Sequence, residues 1–189
     1  MKKWTVQQVI DKILMDMCGG AKISPTCDII PIGSPDAEVT GVATTFMATF
    51  DVIKEAVRQG KNFIITHEPT WFNCFDKTDW CENDSVYLAK RKYIEEHGIT
   101  IWRLHDHMHT GSEVDYIYEG LIEELGWRDY LRRDEPQPWI YEIPVTTLGR
   151  LAKEFKKIFH MDTIQIIGSP DMKVQRVGIL VGGGSLGLG

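Results

Sequence analysis

Apolar and polar positions follow two different periods along this chain, and the changes of period predict its helices and strands. Over residues 5–17 the apolar side chains recur at the three- and four-residue spacing of one helix face. Thr5 and Gln8 stand at capping-box spacing at the start of this segment, and Gly19 follows its end. The pattern predicts a first helix, followed by an irregular connection over residues 24–36, where three prolines fall.

Short apolar or β-branched runs then alternate with helical patterns. The runs predict strands at residues 39–45, 62–66 and 99–104, and the helical patterns predict helices at residues 49–59, 84–96 and 113–125. Strands that alternate with helices of this length are typical of βαβ units. The sequence therefore predicts an α/β fold, with a largely parallel mixed sheet flanked by helices.

A second set of elements follows a charged, proline-containing loop at residues 127–138. Its predicted elements are strands at residues 139–143, 163–167 and 174–181, and a helix at residues 147–159. The last apolar strand leads into a glycine-rich ending, where a covering helix is the usual continuation. We expect that this sequence lacks a C-terminal part, the alternative being a glycine-rich loop near a ligand.

Composition and charge narrow the function classes. With 43% hydrophobic and 25% charged residues the chain is of ordinary globular composition, and its net charge of -6 disfavours general binding to nucleic acid. No apolar run is long enough to span a bilayer, and polar residues interrupt the first apolar segment, which disfavours a signal peptide. The four cysteines form no CxxC pair, so reduced thiols in the cytoplasm are expected.

Residues that bind metals are concentrated at two places, each directly after a predicted strand. His67 and Glu68 follow the strand at 62–66, and the run HDHMH, residues 105–109, follows the strand at 99–104. Open α/β sheets bind ligands at the carboxyl ends of their strands. If these two strands are neighbours, the two groups converge on one site.

The HDHMH run also has a spacing that suits metal binding. In an extended segment His105, His107 and His109 would point to one side, with Asp106 on the other as a hydrogen-bond acceptor that orients a ligating histidine. Imidazole combined with carboxylate suits Zn, Mn or Fe better than calcium. A structural or pH-sensitive polar cluster remains an alternative interpretation.

Other interpretations stay open for neighbouring residues. Cys74 or Cys81 could supply a soft ligand. Aromatic side chains around Trp71 and Trp127 could receive a partner, although core packing is the more common role for such residues. Serine-hydrolase chemistry has no support, because the sequence has no GxSxG motif.

The stretch GVATTFMATFDVIKEAVRQGKNFIITHEPTWF resembles the signature of the NGG-interacting-factor-three-like proteins. Many of these are named type 2 GTP cyclohydrolase I or dinuclear-metal-centre hexameric proteins. Where that family usually has His-His-Pro, this chain has His67, Glu68 and Pro69. Where it has His-x-x-x-Asp, the stretch ITIWRLHDHMH places His105 at the histidine and His109 at the aspartate.

The resemblance covers most of residues 39–189 and has consequences for domain organisation. The stretch RVGILVGGGS resembles the strand and glycine turn that open the second half of the family's duplicated fold. The expected domains are thus a metal-binding half-domain at residues 1–126 and the start of a second half at residues 127–189. The family takes a further histidine and glutamate from beyond the glycine turn, so the site in this sequence is expected to be incomplete.

The resemblance also implies a function and an assembly. It implies two divalent metal ions, Zn, Mn or Fe, and hydrolysis of a nucleotide-like, cyclic amide or phosphoester substrate in a homo-hexamer. The expected metal ligands are His67, Glu68, His105 and His109, while the catalytic residues stay undefined. The alternative is a non-catalytic metal-binding regulatory or scaffold protein.

Overall fold

The computed structural model of the protein describes residues 3–111, 115–134 and 139–182. The chain forms two compact units that divide between Asp115 and Tyr116. The sequence instead predicts a division after residue 126, so the helix that ends at Leu125 falls in the second unit here.

The first unit is built around a three-stranded parallel sheet with strand order β1-β2-β3. Its elements are α1 (Val6–Cys18), β1 (Val42–Thr45), α2 (Phe50–Arg58), β2 (Phe63–Thr66), α3 (Ser85–Glu96), β3 (Thr100–Arg103) and α4 (Asp106–Thr110). The register pairs Thr45 with Thr66 and Thr66 with Arg103, so the three strands end level with one another. This confirms the α/β fold with a parallel sheet that the sequence predicts.

Side-chain caps set where the long helices begin. The Thr5 hydroxyl accepts from the N–H of Gln8, whose side chain accepts in return from the N–H of Thr5, which forms the predicted capping box. Thr49 caps α2 by accepting from the N–H of Val52, and Asp84 caps α3 by accepting from the N–H groups of Val86 and Tyr87. These local signals explain why the predicted starts of the helices agree with the structure.

Each face of the sheet is covered by helices. On one side Ile64 and Ile101 pack with Ile53 of α2 and Ile94 of α3, all fully buried. On the other side α1 and the neighbouring strand residues form a second cluster, composed of Val6, Ile10, Phe63, Trp102 and Leu104. Residues alternate between the two clusters along β2 and β3, as a sheet that is buried on both faces requires.

The irregular segment that follows α1 runs along the free edge of β3. The N–H of Ile101 donates to the carbonyl of Ile32 at 3.1 Å, and the N–H of Arg103 donates to the carbonyl of Ile29 at 2.9 Å. Gly33 makes this close approach possible. Its φ is +98°, and a Cβ at this position would lie 2.5 Å from the Cα of Thr100.

We predict that Gly33→Ala destabilises the protein by about 3 kcal/mol, because the new methyl group meets backbone and the left-handed φ adds strain. The matched control is Gly60→Ala, which has a similar positive φ, +68°, but no atom within 4 Å of the new Cβ. Urea unfolding of both variants checks the prediction. Equal midpoints for the two would show that contact with Thr100 is unimportant.

The second unit combines an antiparallel strand pair with two helices. Its elements are α5 (Tyr116–Leu125), a 3-10 turn (Arg128–Tyr130), β4 (Trp139–Thr147), α6 (Leu148–Ile158) and β5 (Lys173–Ile179). β4 and β5 pair antiparallel, and Tyr141, Ile143, Ile122 and Leu151 form the core of this unit. The predicted start of α5 at residues 113–114 and the glycine-rich ending at residues 183–189 lie outside the described residues.

The predicted strand at residues 163–167 is wrong. These residues are irregular, and the side chain of Ile167 is 87% exposed. β4 and β5 pair with each other. Residues 163–167 follow α6 and precede β5 in the sequence, and they form no part of the β4–β5 pairing. Within the part of the chain that the structure describes, no helix is long and apolar enough to cross a membrane.

Candidate metal centre

The ends of β2 and β3 bring His67 and His105 together. The backbone pairing continues past both strands, since the N–H of Leu104 donates to the carbonyl of Thr66 at 2.9 Å. The two imidazole rings that follow are stacked, with centroids 4.5 Å apart and planes 23° from parallel. The convergence that the sequence predicts for this sheet edge therefore occurs for these two side chains.

His109 joins them through a short helix. The expected extended conformation of residues 105–109 is wrong, because Asp106–Thr110 form the helix α4. One helical turn places residues i and i+4 on the same side, so His109 returns toward His105, with ring centroids 4.7 Å apart. Its ring lies 5.2 Å from that of His67.

The three side chains form a group that could hold a metal ion. One ligand nitrogen from each of His67, His105 and His109 lies within 4.8 Å of the others. The group combines His67, which follows β2, with His105, the N-cap residue of α4, and His109 within α4. This is the candidate metal centre.

A carboxylate from the irregular segment explains why α4 forms. Asp28 accepts from the N–H of His105 at 2.8 Å, of Asp106 at 2.7 Å and of His107 at 3.0 Å. These N–H groups belong to the start of the helix, where intrahelical partners are missing. An acceptor 77 residues away in the sequence thus replaces the extended conformation by a helical turn.

His107 faces away from the other three histidines. It is buried, and its Nδ1 donates to Oδ2 of Asp28 at 2.6 Å, while its Nε2 accepts from the N–H of Ile23 at 3.3 Å. Both ring nitrogens are thereby engaged with protein groups. The expectation that His107 lies on the same side as His105 and His109 is wrong, because it assumed an extended segment.

We predict that His107→Asn leaves the metal content of the protein unchanged. The asparagine amide can donate to Asp28 from nearly the position of Nδ1, so the buried carboxylate keeps its partner. Elemental analysis of the variant beside the unmodified protein checks this. Loss of metal without loss of structure would make His107 a ligand.

The three histidines of the centre share one hydrogen-bond arrangement. In each, Nδ1 faces an oxygen acceptor, so the proton sits on Nδ1 and the lone pair of the neutral ring sits on Nε2. The contacts are His67 to the carbonyl of Leu104 at 3.2 Å, His105 to Oδ1 of Asp106 at 3.0 Å, and His109 to Oδ2 of Asp115 at 2.9 Å. This arrangement orients the rings and prepares Nε2 to bind a metal.

The environment of His67 favours the neutral ring. Burial lowers the pKa of His67, and the neighbouring His105 and His109 lower it further, although the hydrogen bond to the carbonyl of Leu104 acts in the opposite direction. Because only the neutral ring carries a lone pair, the lowered pKa keeps His67 available as a ligand near neutral pH.

Asp106 occupies the orienting position that the sequence suggests for it. Its carboxylate accepts from the N–H of Cys27, the hydroxyl of Thr26 and Nδ1 of His105. Burial acts to raise the pKa of Asp106, but these hydrogen bonds outweigh it and the pKa is lowered. Asp106 is therefore ionised and can hold the His105 ring in one orientation.

Cys27 contacts the same carboxylate oxygen of Asp106 as His105 does. Its thiol donates to Oδ1 of Asp106 at 3.2 Å, and Cys27, His105 and Asp106 form a second group of potential ligand atoms. Burial and the hydrogen bond to Asp106 raise the pKa of the Cys27 thiol. A protonated thiol is a poor ligand, so these contacts describe a hydrogen-bond network that supports His105.

Glu68, the fourth predicted ligand, lies beside Arg103. Its Oε2 is 3.7 Å from Nη2 of Arg103, whose Nε donates to the carbonyl of His67 at 3.0 Å and whose Nη1 donates to that of Cys74 at 2.6 Å. Among the described residues, the three-histidine group does not include Glu68. The buried guanidinium instead holds the His67–Glu68 backbone in place.

The aromatic residues near the centre have different environments. Phe46 stacks on the ring of His67 with centroids 5.5 Å apart. Trp71 packs against Tyr87, as a core residue would, whereas Phe72 and Trp80 contact each other on the surface, 74% and 64% exposed.

Several residues of the centre could not be recognised from the sequence. Asp28 and Asp115 are single carboxylates in irregular segments. Nothing in the sequence distinguishes Arg103 from the other residues of its strand. Only their contacts with His107, His109 and His67 reveal their roles.

Comparisons with known proteins agree with this architecture. A family model described as Duf34/NIF3 (NGG1p interacting factor 3) matches residues 29–188. A Clostridium acetobutylicum protein named GTP cyclohydrolase 1 type 2 homolog is 24% identical over 162 residues, which are 81% of this chain and 59% of that protein. A Staphylococcus aureus protein of the same name is 49% identical over 77 residues, which are 41% of this chain and 20% of that protein.

Solved structures share the fold. A Bacillus cereus protein related to NIF3 superposes with a TM-score of 0.75 at 16% identity, covering 98% of this chain and 78% of that one. A Staphylococcus aureus hypothetical protein superposes with a TM-score of 0.72 at 18% identity, covering 97% and 73%. The chain spans 59% of its Clostridium acetobutylicum relative. Since the family model matches most of its residues, this protein belongs to the Duf34/NIF3 family.

Proposed function

We propose that this protein binds a divalent metal through His67, His105 and His109 and acts as a metal-dependent hydrolase in the cytoplasm. The observation that carries the proposal is the shared arrangement of the three rings. Each Nδ1 is held by an oxygen acceptor, and the ligand nitrogens lie within 4.8 Å of one another. With Nδ1 of all three rings bound to an oxygen acceptor, Nε2 is the nitrogen that carries the lone pair, which is the tautomer that a metal ligand at Nε2 requires.

The donor set fits the metals that the sequence suggests. Neutral imidazoles with a carboxylate nearby suit Zn, Mn or Fe. Three protein ligands are also the usual number in catalytic zinc sites, which keep a further position for water or substrate. Bound there, the metal would supply Lewis-acid activation of a water molecule.

Glu68 is the proposed carboxylate of the site. Arg103 faces its Oε2, which fixes the side chain next to His67. A carboxylate has two oxygens, so the pairing with Arg103 is compatible with a second role for Oε1. That role is either to bind a second metal ion or to accept a proton from water.

The substrate and the assembly are proposed from the family. Relatives named GTP cyclohydrolase 1 type 2 homolog support a nucleotide-like substrate, and a cyclic amide or phosphoester is proposed from the family resemblance of the sequence. Two metal ions and a homo-hexamer are proposed from the resemblance of the sequence to the family's signature. Light scattering of the purified protein measures the number of copies, and a monomer would contradict the hexamer.

A hydrolysis panel tests the proposed function. Nucleotides, cyclic amides and phosphoesters are incubated with protein loaded with Mn or Zn. We expect turnover of at least one class and its loss in His109→Ala, while His97→Ala, an exposed histidine outside the centre, keeps full activity. Turnover that survives His109→Ala would contradict a role for this centre.

A non-catalytic metal-binding scaffold is the second candidate function. It is favoured by the surface aromatic pair Phe72 and Trp80, two exposed side chains that contact each other. This alternative predicts stoichiometric metal without turnover, and loss of self-association in a Phe72→Ser/Trp80→Ser variant. Turnover on the panel would favour the first candidate.

A further inference from the structure

We propose that Asp28 is a positioning residue of the metal centre, which sets the metal affinity by holding α4 in the orientation that brings His105 and His109 together. The proposal rests on the metal binding proposed above. It concerns a residue that lies outside the ligand set and precedes the first ligand by 39 positions in the sequence.

Asp28 is directed entirely at the start of α4. Its side chain is 1% exposed. Oδ1 accepts from the N–H groups of His105 and Asp106, and Oδ2 accepts from the N–H and Nδ1 of His107, at 2.6 to 3.0 Å. A carboxylate has about four lone-pair positions, so all of its acceptor capacity is used within three consecutive residues.

The contact is reciprocated by a second carboxylate. Oδ2 of Asp106 accepts from the hydroxyl of Thr26 and the N–H of Cys27, both at 2.8 Å. The Thr26 hydroxyl also accepts from the N–H of Asp28 at 3.0 Å. We call residues 26–28 with residues 105–107 the carboxylate clasp, because each segment supplies the acceptor for the other.

The clasp matters because α4 has little stability of its own. A helix of five residues lies far below the length at which isolated helices persist in water. Its N-cap residue, His105, has no side-chain cap hydrogen bond. The clasp therefore supplies the support that local sequence does not.

Two of the proposed ligands, the N-cap residue His105 and His109 of α4, belong to this supported turn. His105 is bonded to Asp28 through its own N–H, and His109 follows one turn later. If the turn loosens, both rings lose their fixed position relative to His67. Loss of partners that orient metal ligands typically weakens metal binding by about 10- to 100-fold.

The test compares Zn²⁺ affinity in Asp28→Asn and Asp36→Asn, measured by competition with a chromophoric chelator. In Asp28→Asn one carboxylate oxygen becomes an NH₂ group, which cannot accept from the N–H groups at the start of α4, whereas Asp36 is an exposed aspartate of the same segment. We expect Zn²⁺ to bind about 10- to 100-fold more weakly to Asp28→Asn and unchanged to Asp36→Asn. The absorption spectrum of Co²⁺-loaded Asp28→Asn should also change, since ligand geometry determines that spectrum.

A milder pair of variants keeps the proposal testable if Asp28→Asn fails to fold. Thr26→Val removes the hydroxyl that links Asp28 to Asp106, and Thr26→Ser restores it. We expect Zn²⁺ to bind several-fold more weakly to Thr26→Val and normally to Thr26→Ser. Circular dichroism and thermal unfolding of the metal-free proteins report folding separately.

The outcomes distinguish a failure of the positioning role of Asp28 from a failure of the proposed metal binding. If Asp28→Asn lowers only the unfolding temperature and leaves Zn²⁺ affinity and the Co²⁺ spectrum unchanged, Asp28 is a structural cap and the positioning role is overturned. Unmodified protein that binds no Zn²⁺ would overturn the metal centre itself, and the positioning role with it. Weakened binding in Asp28→Asn with intact folding supports both.

Discussion

Replacing His67 and His109 together by alanine is expected to abolish measurable binding of Zn²⁺. The variant removes two of the three rings whose ligand atoms lie within 4.8 Å of one another. It leaves His105 with its support from Asp106. A single imidazole cannot hold the ion against water.

The size of this effect follows from typical zinc affinities. Structural sites with four ligands bind Zn²⁺ with about 10–16 kcal/mol, so each ligand carries roughly 3 kcal/mol. Loss of two ligands should therefore weaken binding by about 10⁴-fold. Because His67 and His109 are only partly buried, the metal-free variant should unfold close to the temperature of the metal-free parent.

Chelator competition measures the affinity, and a matched variant controls for the removal of two histidines. The control is His97→Ala/His160→Asn, which changes histidines outside the centre and uses asparagine where φ is positive, +52°. It should bind Zn²⁺ as the parent does. Equal affinity in the His67→Ala/His109→Ala variant would show that the metal binds elsewhere.

Arg103→Met is expected to destabilise the fold and weaken the centre together. Arg103 is 3% exposed and donates to the carbonyls of His67 and Cys74. Methionine fills much of the volume but leaves both carbonyls and Glu68 without the guanidinium. Breaking a buried, hydrogen-bonded charge network costs roughly 3 kcal/mol.

The consequence for metal binding comes through the backbone of His67. When its carbonyl is released, the ring loses its fixed distance from His105. We expect a lower urea midpoint and Zn²⁺ binding weakened by about tenfold or more. Arg91→Met, an exposed arginine of α3 paired with Glu95, is the control and should change neither quantity. A destabilised Arg103→Met with normal affinity would confine Arg103 to a structural role.

Local signals allowed much of the first unit to be predicted. Caps such as Thr5, Thr49 and Asp84 lie next to the helices they begin, and continuous apolar runs identify β2 and β3 as buried parallel strands. The position of His67 and His105 at one sheet edge follows from that topology.

The rest depends on contacts between distant residues. The turn at α4 forms because Asp28 accepts from its first N–H groups. The pattern of residues 105–109 cannot indicate a hydrogen-bond acceptor that is so distant in the sequence. The predicted strand at residues 163–167 has suitable residue types. However, a strand also needs a partner, and β4 and β5 pair with each other. The secondary-structure propensities of the residues could therefore predict neither the helix α4 nor the absence of a strand at residues 163–167.

The proposed function requires that this chain takes up metal at the three-histidine centre. The most direct measurement is elemental analysis of protein purified without chelator and without a histidine tag. We expect about one to two equivalents of Zn, Mn or Fe per chain, lost in the His67→Ala/His109→Ala variant. Protein that contains no metal, and takes up none when Zn, Mn or Fe is supplied, would overturn metal binding at this centre.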